Sequence, residues 1–191
     1  MLRAKMRPTD QLKEEHRAIE MMLNILGRVC DRIESGEKVN PHHLERMLDF
    51  IGVFVDKCHH AKEEDQLFPA LQEAGIPKQG GPIGVMLLEH NLGRNYVQGM
   101  SEAFKKYKES DQKALFQFVE NAKSYVALLG QHIVKEDVIL YPMADDRLSE
   151  KKQEELIEQF EIIEHERIGV GKHEEFHRLL HDLRDIYLSE S

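Results

Sequence analysis

The chain has 191 residues, of which 41% are hydrophobic, and a formal net charge of −9. This length suffices for one substantial core, so we expect a single domain over residues 1–191. The negative charge argues against nucleic acid or a membrane surface as a partner, because both require a positive face. Small, neutral or cationic ligands fit this composition better. We expect a monomer or a homodimer.

The sequence also limits where in the cell the protein is expected and which kinds of metal site it can form. No segment approaches the roughly 20 apolar residues of a membrane span, and no signal-peptide core follows the basic N-terminus, so we expect a cytoplasmic protein. Cys30 and Cys58 form no CxxC motif, which argues against a thiolate zinc site or an iron–sulfur cluster.

Helical periodicity runs through the chain, and no alternating strand pattern interrupts it. The predicted helices lie near residues 9–34, 41–74, 83–108, 112–146 and 150–188. A glycine- and proline-rich breaker at 74–82 separates two helical hairpins, and Gly169 and Gly171 interrupt the last helix. The predicted class is therefore all-α, with a bundle over about residues 9–146 and an additional C-terminal helix.

Several histidines and glutamates fall on the apolar stripes that would form the core. In the first helix, His16 continues the stripe between Leu12 and Ile19. The full set on such positions is His16, His59, Glu63, His90, His132 and Glu136. His60 and Glu64 are predicted to turn about 100° away from the stripe, because an α-helix has roughly 3.6 residues per turn.

The second hairpin repeats the first. The motif H-x-x-K-E-[ED]-x-x-L-[FY]-P occurs at 59–69 and again at 132–142, and a Glu-His pair precedes each copy at nearly the same spacing. Each half thus supplies two histidines and one glutamate, and equal distances from the turns place them at one height in the hairpins.

A lone histidine on a core stripe is usually structural, but this joint set predicts a metal centre. Burying two carboxylates and four imidazoles without a cation would cost several kcal/mol per unpaired charge. Two glutamates that can bridge and four imidazoles suit a pair of iron ions, with manganese possible, better than a structural zinc.

The pattern H…HxxxE…EH…HxxxE, over about residues 10–146, resembles the haemerythrin-like, or HHE cation-binding, domains. The resemblance implies an up-down four-helix bundle around two non-haem iron ions with a bridging oxo or hydroxo group. It implies that the four histidines are terminal ligands and that Glu63 and Glu136 bridge. Oxygen carriers of this family have a further histidine where this chain has Met86, so the chain is more similar to bacterial members linked to nitric oxide, peroxide and iron-centre repair.

A ferritin-like iron oxidase is a less suitable alternative, because those proteins use paired Glu-x-x-His elements and this chain has one, at 174–177. Three functions remain open for a haemerythrin-like protein. The first is a sensor that binds dioxygen or nitric oxide. The second is an enzyme that detoxifies peroxide or nitric oxide or repairs iron centres. The third is an iron store. A single buried pair of ions disfavours storage.

Other histidines, glutamates and tyrosines each allow two roles. His173, His177 and His181 form a ladder that could hold a second metal, but we expect a solvated face on a helix that packs against the bundle. Glu15 and Glu89 precede ligand histidines and are candidates to orient their rings, although surface positions fit equally well. Tyr125 and Tyr141 flank His132, where core packing is the simpler expectation and donation to a bridging oxygen the alternative.

Overall fold

The computed structural model describes residues 6–169 and 171–189. This part of the chain contains six helices and no strand, which confirms the predicted all-α class. The helices are α1 (Pro8–Glu34), α2 (41–73), α3 (Pro82–Lys108), α4 (114–147), α5 (Glu150–Arg167) and α6 (Lys172–Tyr187). None of the described helices combines the length and the apolar character that crossing a membrane would demand.

Local sequence explains where the helices begin. Proline occupies the first position of α1, α2 and α3, where its missing N–H costs no hydrogen bond and its fixed φ suits a helix. The Asn40 side chain caps α2 by accepting a hydrogen bond from the backbone N–H of His42 at 3.0 Å. The Ser149 hydroxyl caps α5 in the same way, through Lys152.

The described part of the bundle core contains two large apolar clusters with a polar layer between them. On α1, Leu12 belongs to one cluster and Ile19 to the other, and His16 lies between them. The same order occurs on α2, where Val55 and Leu67 flank the polar residues. The polar layer is therefore sealed above and below by close-packed side chains.

Three segments next to this layer are π-helical. They are Ile51–His60 and Glu63–Leu67 within α2, and Glu136–Leu140 within α4. Hydrogen bonds in a π-helix run from residue i to i+5, so each turn takes more residues than in an α-helix. The directions of side chains here consequently depart from those that an α-helical stripe predicts.

The C-terminal stretch forms two helices instead of one. Gly169 and Gly171 have φ angles of 86° and 80°, in the left-handed region that favours glycine, so the predicted interruption separates α5 from α6. On α6, Phe176, Leu180 and Leu183 are buried against the bundle. This burial confirms the predicted packing role of the C-terminal segment.

Candidate metal centre

The six predicted ligands meet in the polar layer. They are His16 on α1, His59 and Glu63 on α2, His90 on α3, and His132 and Glu136 on α4. Each is at most 1% exposed. Buried carboxylates and imidazoles at this density require partners of opposite charge or a cation.

The histidines form two pairs with facing nitrogens. The Nε2 atoms of His16 and His59 lie 3.1 Å apart, and those of His90 and His132 also lie 3.1 Å apart. Two nitrogens bound at right angles to one ion, at about 2.1 Å each, would be about 3.0 Å apart. The spacing within each pair therefore matches a shared metal ion.

The outer nitrogen of each of these rings meets a carboxylate. The Nδ1 contacts are His16 to Asp137 at 2.7 Å, His59 to Glu15 at 2.8 Å, His90 to Glu64 at 2.6 Å and His132 to Glu89 at 2.9 Å. A ring that donates its Nδ1 hydrogen to a carboxylate presents an Nε2 lone pair inward. Two lone pairs facing each other are repulsive unless a proton or a metal ion lies between them.

Glu136 lies between the two histidine pairs. Its Oε2 is 3.2 Å from His16 Nε2, and its Oε1 is 3.2 Å from His132 Nε2. The Oε2 of Glu63 is 3.4 Å from His90 Nε2 and 3.8 Å from the Nε2 of His59. Each carboxylate thus approaches one histidine from each pair, as a bridging ligand would.

The glutamate oxygens give a second test of metal fit. Glu63 Oε2 and both carboxylate oxygens of Glu136 are buried and have no hydrogen-bond partner. An unsatisfied buried carboxylate oxygen is costly, and metal coordination removes that cost. The donors present therefore fit one cation in each histidine pair, next to the glutamate oxygens.

Tyr141 has a polar role as well as a packing role. Its hydroxyl donates to Glu63 Oε1 at 2.7 Å and lies 3.3 Å from His16 Nε2. The expectation of simple core packing is therefore incomplete for Tyr141, which holds one oxygen of Glu63 and leaves the other facing the histidines. Tyr125 is buried in the apolar cluster, as predicted.

Glu15 and Glu89 orient histidine rings, and basic side chains neutralise them. Lys62 Nζ lies 2.6 Å from Glu15, and Lys135 pairs with Glu89. Lys62 is fully buried and also contacts Glu164 on α5 at 3.1 Å. Sequence reasoning missed this buried lysine, although the invariant lysine of the two motif copies was a signal for it.

Electrostatics favour the charged forms of His16, His90 and Glu63 despite their burial. Burial lowers the pKa of His16 and of His90, but neighbouring carboxylates outweigh this effect and raise each to about 9. Burial would raise the pKa of Glu63, yet the surrounding histidines hold it well below its usual range. Cation binding must then displace protons from the rings.

The prediction that His60 turns away from the core is wrong. His60 is 3% exposed, and one of its ring nitrogens lies within 4.8 Å of ligand atoms of Glu63, His90 and His132. The π-helical segment that ends at His60 changes the side-chain phase that an α-helix would impose. Glu64 lies outside the ligand layer, as predicted, and its carboxylate contacts the Nδ1 atom of His90.

The histidine ladder of α6 lies away from this centre. The rings of His173 and His177 meet edge to face at 4.6 Å, and the His173 ring lies 6.0 Å from that of Phe54. In residues 6–169 and 171–189, the histidine and acidic groups that converge in threes or more belong to the bundle core.

A helical bundle with two converging His/Glu clusters defines a metal-binding protein. Residues 7–144 match the Hemerythrin HHE cation binding domain, so the chain belongs to the haemerythrin-like family. It is 25% identical over 160 residues to uncharacterized proteins of Mycobacterium tuberculosis and Mycobacterium bovis. The match covers 84% of this chain and 62% of each relative, so the chain spans less than two thirds of their length. No solved structure matches the chain.

Removal of bound metal should destabilise the protein strongly. We expect a chelator to lower the melting temperature of the metal-loaded protein, because cations that bind only the folded chain stabilise it by mass action. Saturation at 1,000 times Kd stabilises by about 4 kcal/mol per site, or at least about 8 °C in a chain of this size. Differential scanning calorimetry with and without chelator measures the shift, and an unchanged melting temperature would contradict the metal assignment.

Proposed function

We propose that this protein holds two non-haem iron ions, joined by an oxo or hydroxo bridge, and that it reacts with a small oxidant as a sensor or redox protein. The proposed ligands are His16, His59, Glu63, His90, His132 and Glu136. The observation that carries the proposal is the position of Glu136, whose two unpartnered oxygens face one histidine of each pair.

The donor set favours iron over other common metals. One cluster consists of His16, His59 and Glu136, which is the two-histidine, one-carboxylate set typical of non-haem iron. The other cluster contains His90 and His132 with Glu63. Manganese accepts similar donors, whereas structural zinc is usually held by four ligands, often with thiolates.

Burial limits the reactant to a small molecule. The ligand residues are at most 1% exposed and lie between two apolar clusters, so a polymer or a large metabolite cannot reach them. A bound iron pair would supply electrons to dioxygen, nitric oxide or peroxide. The protein's own contribution is to hold the rings through their carboxylates, to fix Glu63 through the Tyr141 hydroxyl, and to exclude bulk water.

We propose one domain, acting in the cytoplasm as a monomer or homodimer without nucleic acid or membrane partners. The free, buried cysteines Cys30 and Cys58 accord with a reducing compartment. An enzymatic role in peroxide or nitric oxide detoxification, or in iron-centre repair, is the alternative for the same site.

Metal analysis and stopped-flow spectroscopy test the function. Protein from iron-supplemented cells should contain close to two iron atoms per chain, because the donors form two clusters. The reduced, iron-loaded protein should then respond rapidly to dioxygen, nitric oxide or hydrogen peroxide. A stable adduct supports sensing, whereas repeated turnover with peroxide or nitric oxide supports the enzymatic alternative.

Zinc-loaded protein is the matched control, because zinc accepts histidine and carboxylate donors and is not redox-active. Protein that binds one zinc and no iron under iron-rich growth would overturn the proposal. The same holds for iron-loaded protein that reacts with the oxidants no faster than the zinc-loaded control.

A further inference from the structure

We infer that His60 is a third imidazole ligand of the ion held by His90 and His132, so that the two metal positions are chemically unequal. This inference rests on the proposed two-metal function and goes beyond its six ligands. It assigns a metal-binding role to a residue that lies outside the repeated HxxxE pattern.

The first support for this role is that the His60 ring is buried without hydrogen bonds. It is 3% exposed, and neither of its nitrogens has a hydrogen-bond partner. A buried imidazole normally satisfies at least one nitrogen, because each unpaired polar group costs free energy. A metal ion among Glu63, His90 and His132 would satisfy this ring.

The second support is the short distance between His60 and the neighbouring donor atoms. One ring nitrogen of His60 and one ligand atom each of Glu63, His90 and His132 all lie within 4.8 Å of one another. Ligands on opposite sides of an ion, at about 2.1 Å each, are about 4.2 Å apart. Small ring adjustments would therefore bring all four donors onto one ion.

The third support is a carboxylate behind the ring. His60 Nδ1 lies 3.5 Å from an oxygen of Asp56, which in turn accepts a hydrogen bond from Arg94 Nε at 2.7 Å. Each of the other four histidines has a carboxylate at Nδ1, and that carboxylate is paired with a basic side chain. His60 follows the same arrangement with a longer contact.

Only the first of the two motif copies has a histidine at the position of His60. His60 aligns with Ile133, and Phe68 of the first copy aligns with Tyr141 of the second. Ile133 is buried in the apolar cluster, and the Phe68 ring packs 5.9 Å from that of His90. One ion therefore has three imidazoles beside an apolar phenylalanine, and the other has two imidazoles beside the Tyr141 hydroxyl.

A packing role is the competing explanation for His60. Its ring stacks on that of His90, with centroids 3.9 Å apart and planes inclined by 17°. Phenylalanine would keep this stacking and offer no nitrogen. The substitution His60→Phe therefore separates ligation from packing.

A cavity beside His60 makes a rescue experiment feasible. The cavity has a volume of about 320 Å³, and its wall includes Gly52, Asp56, His60, Gly93 and Arg94. In His60→Gly, the space left by the ring would join this cavity to the metal layer. Added imidazole could then take the place of the missing side chain.

Iron binding and Mössbauer spectroscopy of the loaded protein test the inference. The wild type should bind two ions and show two inequivalent iron signals. In His60→Phe, one ion should bind at least about tenfold more weakly and its signal should change, since even residues behind a ligand affect affinity by about 10–100-fold. His42→Phe is the matched control and should leave both ions unchanged, because His42 is exposed at the start of α2.

His60→Gly provides a second measurement if the phenylalanine variant folds poorly. Its weakened ion should regain affinity and the wild-type signal on addition of imidazole, and no such recovery should occur with benzene. Two ions bound as in the wild type by His60→Phe, or no imidazole recovery in His60→Gly, would overturn the inference and leave the proposed function intact. A wild-type protein that does not bind two ions would overturn the proposed function and this inference with it.

Discussion

Glu136→Ala should abolish stable binding of both metal ions. The two Glu136 oxygens each lie 3.2 Å from an Nε2, one on His16 and one on His132, so the substitution removes a donor from both metal positions at once. The loss of negative charge also leaves the remaining histidines with less electrostatic attraction for a cation. We expect metal analysis after dialysis to find fewer than one ion per chain.

Asp137→Asn is the matched control for this change, because Asp137 is the next residue and contacts the metal layer only through His16 Nδ1. It should weaken one ion by about 10–100-fold and leave the other bound. Melting curves of the metal-free variants separate metal loss from misfolding. Glu136→Ala protein that retains two ions would show that Glu136 is not a shared ligand.

Lys62→Met should destabilise the fold far more than the equivalent change in the second half. Lys62 is fully buried, and burial lowers its pKa, but Glu15 and Glu164 outweigh this effect and raise the pKa to about 12. The lysine is therefore charged at neutral pH. Removing it leaves Glu15 buried beside His59 without a cation, and breaking a buried pair costs about 3–5 kcal/mol.

Lys135→Met is the control, since Lys135 occupies the same motif position and pairs with Glu89. The Lys135 side chain is 35% exposed, so water replaces much of the interaction and the expected loss is below about 1 kcal/mol. Urea unfolding of both metal-free variants measures the difference. Equal losses would show that the burial of Lys62 does not matter to stability.

Lys62 and Lys135 occupy the same position in the two motif copies, but their surroundings differ. The motif H-x-x-K-E contains a lysine in each copy but did not indicate its role, whereas helical spacing correctly predicted that the six donors lie at one level. Neither pattern revealed that α5 covers the first half through Glu164. Burial of Lys62 depends on that contact between residues that are distant in the chain.

The sequence by itself determined the helical class, the positions of the two hairpins and the six inward-facing donors. It could do so because the 3.6-residue period and the duplicated HxxxE motif are local properties. The tertiary structure decided the surroundings of those donors. It showed the carboxylate behind each ring, the hydrogen bond from Tyr141 to Glu63 and the inward position of His60. These features arise from packing between helices and from π-helical turns. A π-helical turn changes the direction of side chains, but the spacing of apolar residues in the sequence does not reveal it.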